Sequence, residues 1–175
     1  MSYLKNCAFF FVSIGLILSP CSVIAENDSS SKYRVLLTEN SGLNLITINS
    51  FLDQAKVSIN TGDLDDAQER LEKAISYSNL LINYYRDLNS SFKGIDALIP
   101  RELAQKNRNV IQLLAKANMQ LALIHRSKGE VELAVPLLVE VVKILSPANP
   151  LGATAYQQLL ELGLVDTPYR GGEEP

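Results

Sequence analysis

The sequence predicts an all-α protein of about five antiparallel helices stacked as hairpins, and three observations lead there. From Leu45 onward the apolar residues step by three and four positions, the period of one helix face. Glycines at 62, 94, 129 and 163 interrupt that stepping where a helix would end, since glycine takes the left-handed closing position without steric cost. No stretch alternates apolar and polar residues at strand length between turn signals. At 175 residues, 47% hydrophobic and 20% charged, the chain suits one globular domain with a single core.

The first 25 residues stand apart from that domain. Met1–Asn6 carries Lys5, Cys7–Leu18 (CAFFFVSIGLIL) is apolar, Pro20 would break a helix, and Ser22-Val23-Ile24-Ala25 ends on a small residue. A basic start, an apolar run and a small-residue site form a signal-peptide pattern, with cleavage after Ala25. The 19 uncharged residues from Cys7 to Ala25 also approach the roughly 20 that a membrane-spanning helix needs, so an uncleaved N-terminal anchor is the alternative. Leu18-Ser19-Pro20-Cys21 offers a third reading, a lipoprotein signal, but Pro20 stands where that signal calls for a small residue. The expectation is an exported protein in a periplasm or equivalent lumen, or one tethered to the membrane through residues 7–25. Both cysteines, Cys7 and Cys21, fall in this segment, so residues 26–175 hold no disulfide, thiol nucleophile or cysteine metal site.

Residues 26–40 (ENDSSSKYRVLLTEN) begin serine-rich and read as a flexible lead-in to a helical domain over 41–163. Leu45, Ile48, Leu52, Ala55 and Ile59 trace the first helix, closed by Gly62. Asp63 caps the second, whose face runs through Leu64, Ala67, Leu71, Ala74, Leu81, Tyr85, Leu88 and Phe92 to Gly94. That helix would be about 44 Å long at 1.5 Å per residue, with Tyr77-Ser78-Asn79 as a point where it could bend. Residues 94–99 (GIDALI) read as a loop, and Pro100 suits the first turn of a third helix over about 101–128, closed by Gly129. The fourth spans about 130–145. The fifth starts with Asn149 as cap and Pro150 as first residue and stops at Gly163, leaving a loose tail over 164–175.

The helix pairs repeat. Ala55, Gly62, Ala67 and Ala74 are spaced seven, five and seven apart, and Ala122, Gly129, Ala134 and Val141 keep the same intervals. Small residues let the two helices of a hairpin approach closely, and the glycine makes the turn between them. This resembles the tetratricopeptide repeat (TPR), a helix-turn-helix unit of 34 residues, most clearly in Thr61-Gly62-Asp63-Leu64-Asp65-Asp66-Ala67 with Ala74, and in Leu121-Ala122 with Lys128-Gly129-Glu130 and Ala134. Gly129 and Gly163 are 34 apart, and Gly62 and Gly129 are 67 apart. The pattern departs from the family's in lacking its tryptophan and in placing Ser58 and His125 where its tyrosine stands. No clean repeat can be laid between Ala74 and Ala122. The resemblance implies binding of other proteins' segments on a concave helical face.

Little in the chain points to catalysis. Residues 26–175 carry 15 bases against 19 acids, a net charge of −4 that gives no electrostatic basis for nucleic-acid binding. His125, the only histidine, has no serine or carboxylate spaced for a triad and reads as a packed or hydrogen-bonded side chain. Asp63, Asp65 and Asp66 could be taken for a cation site, but a calcium loop spreads its ligands over about twelve residues, and acids in a first helical turn are favourable by themselves. Asp96, Glu102 and Asp166 are scattered, and there is no phosphate-binding glycine loop. The expectation is a protein with no catalytic residues, cofactor or metal.

Three features point to binding. The fourth helix is apolar nearly all round (Val131, Leu133, Ala134, Val135, Leu137, Leu138, Val139, Val141, Val142, Ile144, Leu145) and is expected to be covered by the third and fifth, with any uncovered part forming an apolar patch. The turn between the second and third helices offers Phe92, Ile95, Leu98 and Ile99 beside Lys93 and Arg101, where loops usually place polar residues. Tyr77, Tyr84 and Tyr85 lie next to Arg86, and aromatic residues and arginine are favoured at interface hot spots. The expected partner surface is therefore Phe92, Ile95, Leu98, Ile99, Arg101, Tyr84 and Tyr85. The expected role is an adaptor or assembly factor for another protein, with a membrane-protein complex among the candidates. The alternative is a bundle that holds an apolar small molecule or lipid beside the fourth helix.

Overall fold

The computed structural model describes residues 43–171, and the N-terminal segment over 1–25 and the whole lead-in over 26–40 lie outside them. Among the described residues there are five helices and no strand: α1 (Leu45–Thr61), α2 (Leu64–Ser91), α3 (Leu98–Lys128), α4 (Val131–Leu145) and α5 (Pro150–Glu161). None of them is long and apolar enough to cross a membrane. Each packs antiparallel on the next, and α1 and α5 also touch α3, while α2 and α4 make at most marginal contact.

Local chemistry sets the helix ends. Asn44 accepts from the Thr47 amide at 2.8 Å, Asp63 from the Asp66 amide at 3.0 Å, and Asn149 from the Leu151 amide at 3.0 Å. The third helix begins earlier than its pattern predicts. Asp96, one residue ahead of the cap, accepts from the amides of both Leu98 and Ile99, at 2.6 and 2.9 Å. That draws Leu98 and Ile99 out of the loop and into the first turn. α2 is continuous through Tyr77-Ser78-Asn79, because the buried Ser78 hydroxyl donates to the Ala74 carbonyl at 2.7 Å without breaking the ladder.

Burial matches at an interval of 67 residues in the two short-turn hairpins. Ile48, Leu52, Ala55, Ser58, Ala67, Leu71 and Ala74 are all buried, and so are the residues 67 positions on, Ala115, Met119, Ala122, His125, Ala134, Leu138 and Val141. The turns repeat as well. Gly62 (φ 82°) is followed by a bond from the Asp63 amide to the Ser58 carbonyl at 2.9 Å, and Gly129 (φ 78°) by one from the Glu130 amide to the His125 carbonyl at 2.8 Å. Gly163 (φ 74°) closes α5 in the same way, with the Leu164 amide on the Leu159 carbonyl at 3.0 Å.

Two expectations are corrected. α4 is not covered all round: Ala134, Leu138 and Val141 are buried, but Val131, Leu133 and Val139 are exposed, because α4 has only α3 and the 12-residue α5 as neighbours. The tail is not loose at its start. Val165 packs on the α4–α5 core, the Tyr156 hydroxyl donates to the Thr167 carbonyl at 2.7 Å, and the rings of Tyr156 and Tyr169 meet edge-on at 6.5 Å.

The α4–α5 turn carries a constraint the sequence did not show. Ser146 holds φ 63°, outside the usual range for a residue with a side chain, and a Cβ on Gly152 would lie 2.0 Å from the Ser146 carbonyl oxygen. Gly152→Ala should therefore lower stability by about 2 kcal/mol or more in urea unfolding. Gly62→Ala, which meets no neighbour, should cost only the left-handed strain of about 1 kcal/mol. Ala134→Arg forces a charge into a fully buried hairpin contact and should destabilise by at least about 3 kcal/mol; an unchanged melting temperature would refute this register.

Candidate interaction surface

The groups with chemical potential are engaged in holding the hairpins. His125 is buried, with its Nδ1 2.7 Å from an accepting Glu130 carboxylate oxygen across the Gly129 turn. Asp66 accepts from the Ser58 hydroxyl of α1 and, at 2.6 Å, from Arg70 Nε, while Arg70 also donates to Gln54. Asp65 receives the Lys128 ammonium at 2.6 Å, which ties the start of α2 to the end of α3. The three aspartates thus point to three separate partners and do not converge, and among the described residues no cluster could hold a metal ion.

Arg70 and Ser58, both donating to Asp66, hold its carboxyl below the ordinary carboxylate range, and Asp65 raises Lys128. Asp66 therefore favours the folded state most where it is ionised.

Among the described residues, two of the surface depressions are open ones. One, along α5, is lined by Arg126, Tyr156, Gln158, Glu161 and Tyr169, and its arginine is already bound to Gln158 at 2.9 Å and Glu161 at 3.4 Å. The other lies at the end of the α2–α3 hairpin, among Asn89, Lys93, Gly94, Ile95, Asp96, Ala97 and Pro100. Neither is enclosed, and neither borders α4.

The expected partner residues divide at that end. Ile95 and Leu98 are the most exposed large apolar side chains among the described residues, at 78% and 74%. Arg101 is exposed beside them, and Tyr84 is 46% exposed further along α2. Phe92 and Ile99 are half-buried, and Tyr85 packs on the main core. Tyr77 belongs to the hairpin interior, its ring 5.6 Å from Phe51. Sequence reading missed Leu80 and Leu88, which join Tyr84 at four-residue spacing in an exposed stripe on α2. The three-four spacing puts Leu88 on the buried face of α2, and the short reach of α1 leaves it open.

The chain matches no known protein family, no curated protein and no solved structure.

The stability of the Asp66 contact sets a pH dependence. Its folded-state carboxyl titrates below its unfolded value of about 3.9, so its contribution is complete above that range and lost as pH falls through the folded value. Asp66→Asn should melt below wild type at neutral pH, and the two melting temperatures should converge as the pH drops below about 4.

Proposed function

We propose that this chain is a protein-binding module of TPR-like hairpins, without catalytic activity of its own, acting outside the cytoplasm as an adaptor or assembly factor. The observation that carries this reading is the end of the α2–α3 hairpin. Ile95 and Leu98 stand in solvent on a turn that Asp96 holds through two backbone amides, with Phe92 and Ile99 half-buried next to them in the chain. Exposed apolar side chains beside Lys93 and Arg101 suit a partner that offers an apolar pocket with a polar rim.

The repeated burial pattern and the paired glycine turns support the TPR-like part of the reading. So does the closer contact of α1 and α5 with α3 than of α2 with α4, since a stack that curves brings alternate helices together on its inner side. The basic, apolar and small-residue pattern of the first 25 residues supports export, or tethering through residues 7–25. The alternative, an apolar ligand held beside α4, draws no comparable support: its inward residues Ala134, Leu138 and Val141 are fully packed.

Affinity purification of the tagged protein from gently solubilised native membranes tests the proposal. A stoichiometric protein partner is expected, reduced at least tenfold (about 1.4 kcal/mol) by Ile95→Asp with Leu98→Asp, with the melting temperature unchanged. A partner retained in full by that variant would place the contact elsewhere, and an apolar small molecule recovered in place of a protein would favour the alternative.

A further inference from the structure

The contacts between α1 and α2 define a register. Ser58 meets Asp66, Gln54 meets Arg70 and Phe51 meets Tyr77, so each turn back along α1 is a turn forward along α2. Continued, the register brings Leu43 level with the turn at Ile82–Tyr85. There the described chain begins: Leu43 rests on the core, and Asn44 is extended at φ −152° and ψ 171°. α2 runs on to Ser91 with nothing from α1 beside it.

The edge of α2 that Tyr77 occupies against Phe51 continues as Leu80, Tyr84 and Leu88, which are 40%, 46% and 47% exposed. This is where a longer α1 would have lain. Upstream of Leu43 the chain carries one apolar run within reach, Val35-Leu36-Leu37, preceded by Arg34. Five residues, 38–42, separate it from Leu43 by a few residues' length, about 17 Å when extended. Leu88 lies only about 5–9 Å along α2 from the level of Leu43 at 1.5 Å per residue. Asp87, at the margin of the stripe, is exposed, enters none of the ion pairs among the described residues, and offers a counter-charge to Arg34.

We propose that the chain's own segment Arg34–Leu37 docks on the stripe Leu80–Tyr84–Leu88 and closes the exposed edge of the long hairpin. This assigns Tyr84 to an internal contact and leaves the partner surface to Ile95, Leu98 and Arg101. It does not depend on the partner reading.

Hydrogen exchange on the full-length chain tests the proposal at the amides of Val35, Leu36 and Leu37. In the wild type they should exchange at least about tenfold more slowly than an unstructured chain, at any protein concentration. Leu80→Glu with Leu88→Glu should remove that protection and speed tryptic cleavage after Arg34 by about tenfold or more, while α2–α3 core amides keep theirs. Val35→Asp with Leu37→Asp should speed the same cleavage from the other side of the contact. Ile95→Asp with Leu98→Asp should leave the protection intact, which separates this test from that of the partner surface. Unprotected amides in the wild type, or protection that survives the α2 substitutions, would overturn the proposal. Protection that vanishes on dilution would assign the stripe to a second copy, and protection seen only with lipid vesicles would assign it to a membrane surface; both overturn it.

Discussion

Two helices joined by a glycine turn can lie close along their length only where the residues at their contact are small, and the two hairpins of this protein both depend on that condition. Ala55, Ala67 and Ala74 in the first, and Ala122 and Ala134 in the second, have no exposed surface at all. The approach they permit brings Ser58 and Gln54 of α1 within hydrogen-bonding distance of Asp66 and Arg70 of α2, and it lets Leu71 and Leu138 fill the space beneath. In a domain without cysteine, nothing covalent substitutes for this packing, so a larger side chain at any of these alanines would part the helices and expose the core on both sides.

The second determinant is unequal length. α2 and α3 have 28 and 31 residues, whereas α1, α4 and α5 have 17, 15 and 12. The central hairpin therefore outruns its neighbours at one end only, the end at Gly94, away from the turns at Gly62 and Gly129. Apolar residues that would be interior in a stack of equal helices reach solvent there: Leu80, Tyr84 and Leu88 along α2, and Ile95 and Leu98 at the turn. The surfaces proposed for function and for self-contact both arise from this mismatch, and neither needs a special motif.

The groups that a search for chemistry would select first, His125 and the aspartates at 63, 65 and 66, are instead the polar fastenings of the hairpin turns. Ser58 with Asp66 in the first unit and His125 with Glu130 in the second satisfy buried polar atoms at corresponding positions 67 apart in the chain. A polar contact at that place compensates burial where the helices converge, and residue type is free to differ between the two units as long as each donor finds an acceptor.

Helix number and most helix ends were legible because they are local: a glycine in the left-handed region, an aspartate or asparagine cap and the three-four spacing act within a few residues of themselves. The same information could not separate Leu138, which is buried, from Leu133 and Val139, which are exposed on the same helix, or Tyr85, which packs on the core, from the adjacent Tyr84. Nor could it show that Gly152 must be glycine, since the carbonyl that would strike its Cβ belongs to Ser146 in a turn of unusual shape. Sequence by itself determined that there are five helices and where Gly62, Gly129 and Gly163 close three of them. Only the tertiary structure decided which apolar residues are covered, because cover is supplied by a neighbouring helix, and it ends where that neighbour ends.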